Sequence, residues 1–441
     1  MNFDLVIHNG TILTVNPSFD ILENGIIGIR KDQLVLIASK DDDRPLPRAA
    51  EIIDAAGGII MPGLINTHTH LPMTLFRGLA DDMALDVWLN KHIFPAEARY
   101  LTVETVRWGS LLAAAEMLLA GTTCCCDGYF LEDTVAKAIG QAGMRAVVGQ
   151  GVIDFPAPGV ADPSDNLAVA SSFVREHLTA SRLVTPSVFC HSPYTCSENT
   201  LVQAKALAEK TGVLFQIHAA ETRREFDQIQ AAHGVTPVHY LDRMGLLDPN
   251  TLLVHCTWIT DEDIDVIARR GARVSHCPES NMKLAAGIAP VPGLLAAGVT
   301  VGLGSDGCAS NNDLNLFHEM GTTARLHKAV SGQPTVMDAG TVVKMATSEG
   351  AAAIGLAHQT GSLETGKQAD VIVINTRQPH MTPMYHPQSH VVYAAGPADV
   401  SHVVVAGRIL VADGRLTGLD LDEIIAHVNK IAFKIRTGGA T

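Results

Sequence analysis

Positive charge is scarce in this 441-residue chain. Thirty-two Lys and Arg stand against 46 Asp and Glu, a net charge of −14, and the basic residues form no run. Nucleic acid and anionic membranes are therefore excluded as expected partners. Long apolar runs are also missing, so nothing reaches the roughly 20 residues that span a bilayer. The start, "MNFDLVIHNGTILTV", lacks the basic and apolar blocks of a secretion signal. Eight cysteines, with Cys124, Cys125 and Cys126 consecutive in an apolar run, do not read as a disulfide framework. The expected compartment is the reducing cytoplasm. No Gly-x-Gly-x-x-Gly follows the first strand-like run, which removes the dinucleotide fingerprint. The His-x-Glu with Pro-Cys-x-x-Cys signature is absent as well, which excludes the nucleic-acid base editor fold.

What remains is an ordinary globular composition, 47% apolar and 18% charged. Residues 1–57 and 363–441 read as short strands and turns, the latter ending in a helix, and together suggest one small β-sandwich. Between them, over 58–362, apolar runs alternate with helical stretches such as "TVRWGSLLAAAEMLLA". Eight runs stand out, at 59–67, 121–127, 145–152, 183–190, 213–218, 251–255, 272–276 and 299–304. Eight βα units predict a TIM-type (β/α)8 barrel whose active site lies at the C-terminal strand ends. An open doubly wound sheet is the other arrangement, and it lacks its glycine fingerprint.

Polar, metal-capable residues close five of these runs. In "NTHTH", His68 and His70 lie two apart and share one strand face. "FCHSPYT" ends the fourth run at His191, and "VLFQIHAAET" ends the fifth at His218, with Glu221 three residues on. "TLLVHC" ends the sixth at His255 and "VTVGLGSDG" the eighth at Asp306. Singly, each is better explained as a satisfied core histidine or a helix N-cap. Together they fall on one rim, and a metal site explains them all. Three imidazoles and one carboxylate suit Zn²⁺, with Fe²⁺ open. Strand four offers no lysine for a carbamate bridge, so one divalent metal is expected rather than two.

"PGLINTHTH", "HAAET", "VHC", "SHCPESNMKL" and "GSDGCASNNDLNLFHEM" jointly resemble the amidohydrolase superfamily. Within it the chain is most similar to the 5-methylthioadenosine/S-adenosylhomocysteine deaminase branch. The resemblance runs over nearly the whole chain and includes "MTLFRGLADDMALDVWLNKHIFPAEARY". It implies that His68, His70, His218 and Asp306 bind the metal and that Asp306 is the general base. It also implies that Glu221 shuttles a proton to the ring nitrogen and that His255 hydrogen-bonds the attacking water. Glu97 would grip the ribose hydroxyls, His191 would contact the purine, Trp88 would supply apolar surface, and Arg182 would face a homocysteine carboxylate. The implied reaction is hydrolytic deamination at C6 of adenine in adenosine-type nucleosides, by a homo-oligomer acting on a small-molecule substrate.

Glu97 and Glu221 also read as ordinary charges near helix starts. Two other functions stay open: hydrolysis of another heterocycle (guanine, cytosine or a triazine), and a non-catalytic binding relative. A free base would leave Glu97 no ribose to hold, and the complete polar set speaks against decay of catalysis. Relatives that handle S-adenosylhomocysteine can offer a second arginine after strand three; here "VIDFPAPGVADPSDNLAVASSFV" has no Arg or Lys. Arg182 is thus the only expected cation for an anionic tail, and adenosine and 5-methylthioadenosine are expected to be the better substrates. Cys190, Cys196, Cys256, Cys277 and Cys308 read as apolar filler near the rim. His276 reads either as site lining or as a structural hydrogen-bonding group. His92, His177, His233 and His239 read as helix-surface residues.

Overall fold

The computed structural model describes residues 3–40 and 45–438. The eight runs become eight consecutive strands of one sheet: β1 (Leu64–Thr69), β2 (Thr122–Tyr129), β3 (Arg145–Val152), β4 (Val184–Cys190), β5 (Leu214–Ala219), β6 (Thr251–His255), β7 (Arg273–His276) and β8 (Val301–Leu303). The pairings from β3 through β8 are parallel. Most of these strands are buried along their whole length. That is why they read as continuous apolar runs rather than as alternation. Hydrogen bonds close the seam between first and last strands. Asp306 N–H donates to the His68 carbonyl (3.0 Å). Asn66 Nδ2 donates to Ser305 Oγ (2.7 Å) and Ser305 N–H to Asn66 Oδ1 (3.1 Å).

The first predicted run is split between two sheets. Ile59–Pro62 pairs with Val371–Ile374 and with Phe3–Leu13, whereas Leu64–Thr69 opens the barrel. Gly63 makes the switch, and a Cβ there would lie 2.1 Å from Thr123 Oγ1. Both halves are fully buried, so hydropathy does not mark the break.

The β-rich ends form one mixed nine-stranded sheet, in which both antiparallel and parallel neighbours occur. Alternate residues of its strands, among them Leu5, Ile7, Ile27, Ile29, Val371, Val373 and Val404, bury one common core. The chain divides into two compact units. One takes the chain up to Ile65, Ala115–Cys124 and Asn315–Leu419; the other takes Asn66–Ala114, Cys125–Leu314 and the chain from Asp420 on. Within the second unit the terminal helix, Leu421–Thr437, stacks His427 on Trp108 with ring centroids 3.8 Å apart. No helix among the described residues is long and apolar enough to cross a membrane.

Candidate active site

The turns that end the barrel strands carry the polar groups, and two of them are bent to do so. His255 (φ 76°) and Asp306 (φ 59°) hold left-handed backbone that non-glycine residues rarely adopt. Glycines make room around Asp306: a Cβ on Gly304 would meet Ser275 Oγ at 2.7 Å, and one on Gly307 would meet Met73 Sδ at 2.5 Å. The "GSDG" turn therefore fits tightly against its neighbours.

One donor atom each from His68, His70, His218 and Asp306 lies within 4.8 Å of the others, and all four residues are buried. His218 Nε2 is 3.1 Å from His68 Nε2. Asp306 Oδ1 is 3.5 Å from His68 Nε2 and 3.3 Å from His70 Nε2. Metal bonds of about 2.0–2.2 Å separate tetrahedral ligand atoms by roughly 3.3–3.6 Å, so this spacing fits a single cation. Protonation fits at His68 and His218, whereas at His70 burial is outweighed by the Asp306 carboxylate, which raises that imidazole. Burial pushes His68 down to about 4 and His218 well below the ordinary histidine value, so both imidazoles are neutral, as ligation requires. Burial alone would raise Asp306, but hydrogen bonding to His68 and His70 outweighs it and holds the carboxyl well below the usual range.

The supports of this cluster also fit ligation. His70 Nδ1–H donates to the Gly128 carbonyl (2.6 Å), which directs Nε2 to the cluster. Leu71 N–H donates to Asp127 Oδ1 (2.6 Å) and fixes the turn that follows. Asp306 Oδ2 accepts from Ser280 (2.6 Å) and Ser310 (2.8 Å), and Oδ1 accepts from Gly307 N–H (2.8 Å). His255 Nδ1–H donates to Asn281 Oδ1 (2.9 Å), leaving the Nε2 lone pair for the site.

Glu221 is not a solvated helix-start charge. It is buried, lines the pocket, and places Oε1 3.9 Å from His255 Nε2. Burial, with Asp306 beside it, pushes its carboxyl up to about 8. Glu225, in the helix Arg223–His233, accepts the backbone N–H groups of Ala220 and Glu221 (2.8 Å each) and so fixes this turn.

Above the cluster, Trp88, Glu97, His191, Tyr129 and Phe189 line a chamber that reaches His70, His218, Glu221, His255 and Asp306. Glu97 is buried in the helix Phe94–Tyr100 and accepts a hydrogen bond from Tyr129. Burial pushes its carboxyl up to about 7. His191 pairs through Nδ1 with Thr195 Oγ1 (2.9 Å), and burial drives it down to about 3, which keeps the ring neutral. Trp88 is buried too, and its indole N–H has no partner among the described residues.

Arg182 is not in this chamber. It is exposed and precedes Val184, the first residue of β4, whereas His191 follows the last residue of that strand. A strand of this length separates its ends by roughly 20 Å, which places Arg182 at the opposite end of the barrel. The fold thus corrects it from a substrate contact to a surface residue. Tyr129, Asn281, Ser280, Ser310 and Glu225 do not stand out in the sequence. Three of them lie in "SHCPESNMKL" and "GSDGCASNNDLNLFHEM", segments in which the histidine and aspartate are the conspicuous residues.

The amidohydrolase family profile matches residues 59–410. The chain belongs to the amidohydrolase family. It is 45% identical over 433 residues to a 5-methylthioadenosine/S-adenosylhomocysteine deaminase of Syntrophobacter fumaroxidans, covering 98% of each chain. It is 45% identical over 417 residues to a 5'-deoxyadenosine deaminase of Methanothermobacter thermautotrophicus, covering 93% of this chain and 96% of that one. Among solved structures it matches an adenosine deaminase from Xanthomonas campestris with bound zinc, at a TM-score of 0.96 and 37% identity over 99% of both chains. The buried imidazoles and carboxylate of this amidohydrolase thus have the donor chemistry of a divalent-metal site.

Proposed function

We propose that this chain is a metal-dependent hydrolytic deaminase that converts adenosine-type nucleosides to their inosine analogues and ammonia. The observation that carries the reading is Glu97, a buried carboxyl held by Tyr129 in the wall of the same chamber that reaches the metal-ligand cluster. A carboxylate accepts two hydroxyl hydrogen bonds, which suits the vicinal diol of a ribose. A free base such as guanine has no such diol to offer.

His68, His70, His218 and Asp306 would hold one divalent metal, Zn²⁺ first and Fe²⁺ second on their donor chemistry. Such an ion lowers the pKa of water and polarises the bond under attack. Asp306, kept ionised, accepts a proton from the attacking water. His255 holds the incoming oxygen through Nε2. Glu221, whose carboxyl burial holds above its ordinary range, delivers its proton to N1 of the purine, so that the ring accepts the electron pair. The proton taken up by Asp306 passes to the amino group, which leaves as ammonia as the C6–N bond breaks, and the C6 hydroxyl proton returns to Glu221 to give the keto product. His191 and Trp88 seat the purine. We propose further that the enzyme works in the cytoplasm, in keeping with its eight buried free cysteines, and that it assembles as a homo-oligomer. Light scattering of the purified protein tests the assembly.

Two measurements test the site itself. Stripping with a strong chelator is expected to abolish ammonia release, and about one equivalent of Zn²⁺ or Fe²⁺ per chain to restore it; two equivalents at full activity would contradict a single-metal centre. Glu97→Gln is expected to lower kcat/KM for 5-methylthioadenosine about tenfold, the size of one charge-assisted hydrogen bond, with a much smaller effect on 2′,3′-dideoxyadenosine. Equal losses on both nucleosides would remove the ribose role.

A further inference from the structure

The chamber opens outward into a second cavity of about 620 Å³, and the two share Leu85, Leu89, Phe94, Tyr194 and Leu284. A further, smaller cavity of about 300 Å³ adjoins the chamber at Phe94, Glu97 and Phe130, but no Lys or Arg lines it, so a carboxylate on a 5′ tail finds its cation in the vestibule. The vestibule's cations are Arg223 and Arg224, neighbours at the start of the helix that follows β5. Each is already answered by an aspartate. Arg223 Nε pairs with Asp227 Oδ1 on its own helix (2.9 Å), and its guanidinium lies 5.4 Å from the Trp258 ring centroid. Arg224 Nη1 instead pairs with Asp86 Oδ2 (2.6 Å), a residue 138 positions away in the excursion between β1 and β2. Asp86 itself lines the vestibule.

Resting on the deaminase reading above, we propose that the Asp86–Arg224 pair is the determinant that selects the 5′ substituent. A neutral tail, such as a methylthio group, meets the apolar walls and leaves the pair intact. A tail ending in a carboxylate must take the place of Asp86 on Arg224. Both side chains are about half exposed, at 46% and 61%, so the pair can exchange partners at small cost. Asp86 thus competes with the tail's carboxylate for Arg224, and the enzyme turns over nucleosides with uncharged tails in preference to those whose tails carry a carboxylate. This role falls to Arg224, and Arg182 has no part in it.

The test uses the metal-loaded enzyme and two nucleosides, S-adenosylhomocysteine and 5-methylthioadenosine, with the ratio of their kcat/KM values as the readout. Asp86→Asn is expected to raise that ratio toward S-adenosylhomocysteine about fivefold, the scale of one exposed ion pair. Arg224→Gln is expected to lower it, and the double variant to lose the gain of Asp86→Asn. Arg182→Ala serves as the control and leaves the ratio where it was. Changes below twofold in both single variants would overturn the proposal, as would a gain that survives in the double variant. Calorimetric Kd values for the same two nucleosides carry the same ratio. If both bind and neither is deaminated, the deaminase reading fails while the selectivity remains measurable; if neither binds, both proposals fall.

Discussion

Asp306→Asn is expected to give a folded protein whose turnover of 5-methylthioadenosine is lower on the order of 10³-fold or more, because one change removes a ligand charge and a base together. The substitution keeps the side-chain volume and preserves an oxygen for the Ser280 and Ser310 hydroxyls, so the turn after β8 has no steric reason to collapse. What goes is the negative charge. In the native site hydrogen bonding to His68 and His70 holds that carboxyl well below the ordinary range against the push of burial. A neutral amide neither balances a divalent cation nor accepts a proton. Metal content by atomic emission is expected to fall, while the thermal midpoint tracks the wild type loaded with less metal. An Asp306→Asn variant within tenfold of wild-type activity would remove Asp306 from the chemistry.

Glu221→Gln is expected to lower kcat by about 10²–10⁴-fold and to leave KM within a fewfold. The amide still offers an N–H to the ring nitrogen, so binding survives, but it has no proton to give. The pH profile gives a second readout. Burial raises the Glu221 carboxyl to about 8, so its acid form prevails at neutral pH and is lost as pH rises through that value. A cation in the cluster favours the carboxylate and moves this limb to lower pH. The wild type is therefore expected to lose kcat on the alkaline side with a single titration, and the Glu221→Gln variant to lack that limb. Normal kcat and an unchanged profile in the variant would return Glu221 to the role of a helix-start charge.

The barrel was legible because its strands are buried on both faces, which writes each as an unbroken apolar run; β3 and β6 occupy the very residues of their runs. The rim was legible because imidazoles and a carboxylate interrupt those runs where a parallel barrel leaves its strand ends open. Residues that work through long-range hydrogen bonds were not. Asn281 meets His255, and Ser280 meets Asp306, across 26 positions each, and Tyr129 meets Glu97 across 32. Each looks like an ordinary polar or aromatic residue until the fold closes. Arg182 shows the opposite failure. The family resemblance implied a site residue, but Arg182 precedes strand four, and in a barrel that side is the far end. The switch at Gly63 left no hydropathic mark, because the strands on either side belong to different sheets yet are equally buried.

The central claim is that this site deaminates an adenine ring carried on a ribose. The measurement that tests it most directly is ammonia release by the purified, metal-loaded protein from 5-methylthioadenosine, adenosine, S-adenosylhomocysteine, guanine and cytosine in parallel, with the purine products identified by mass. The account predicts one ammonia per inosine analogue from the nucleosides, with 5-methylthioadenosine or adenosine ahead of S-adenosylhomocysteine, and no release from the free bases. Turnover of guanine or cytosine with the three nucleosides inert would contradict it.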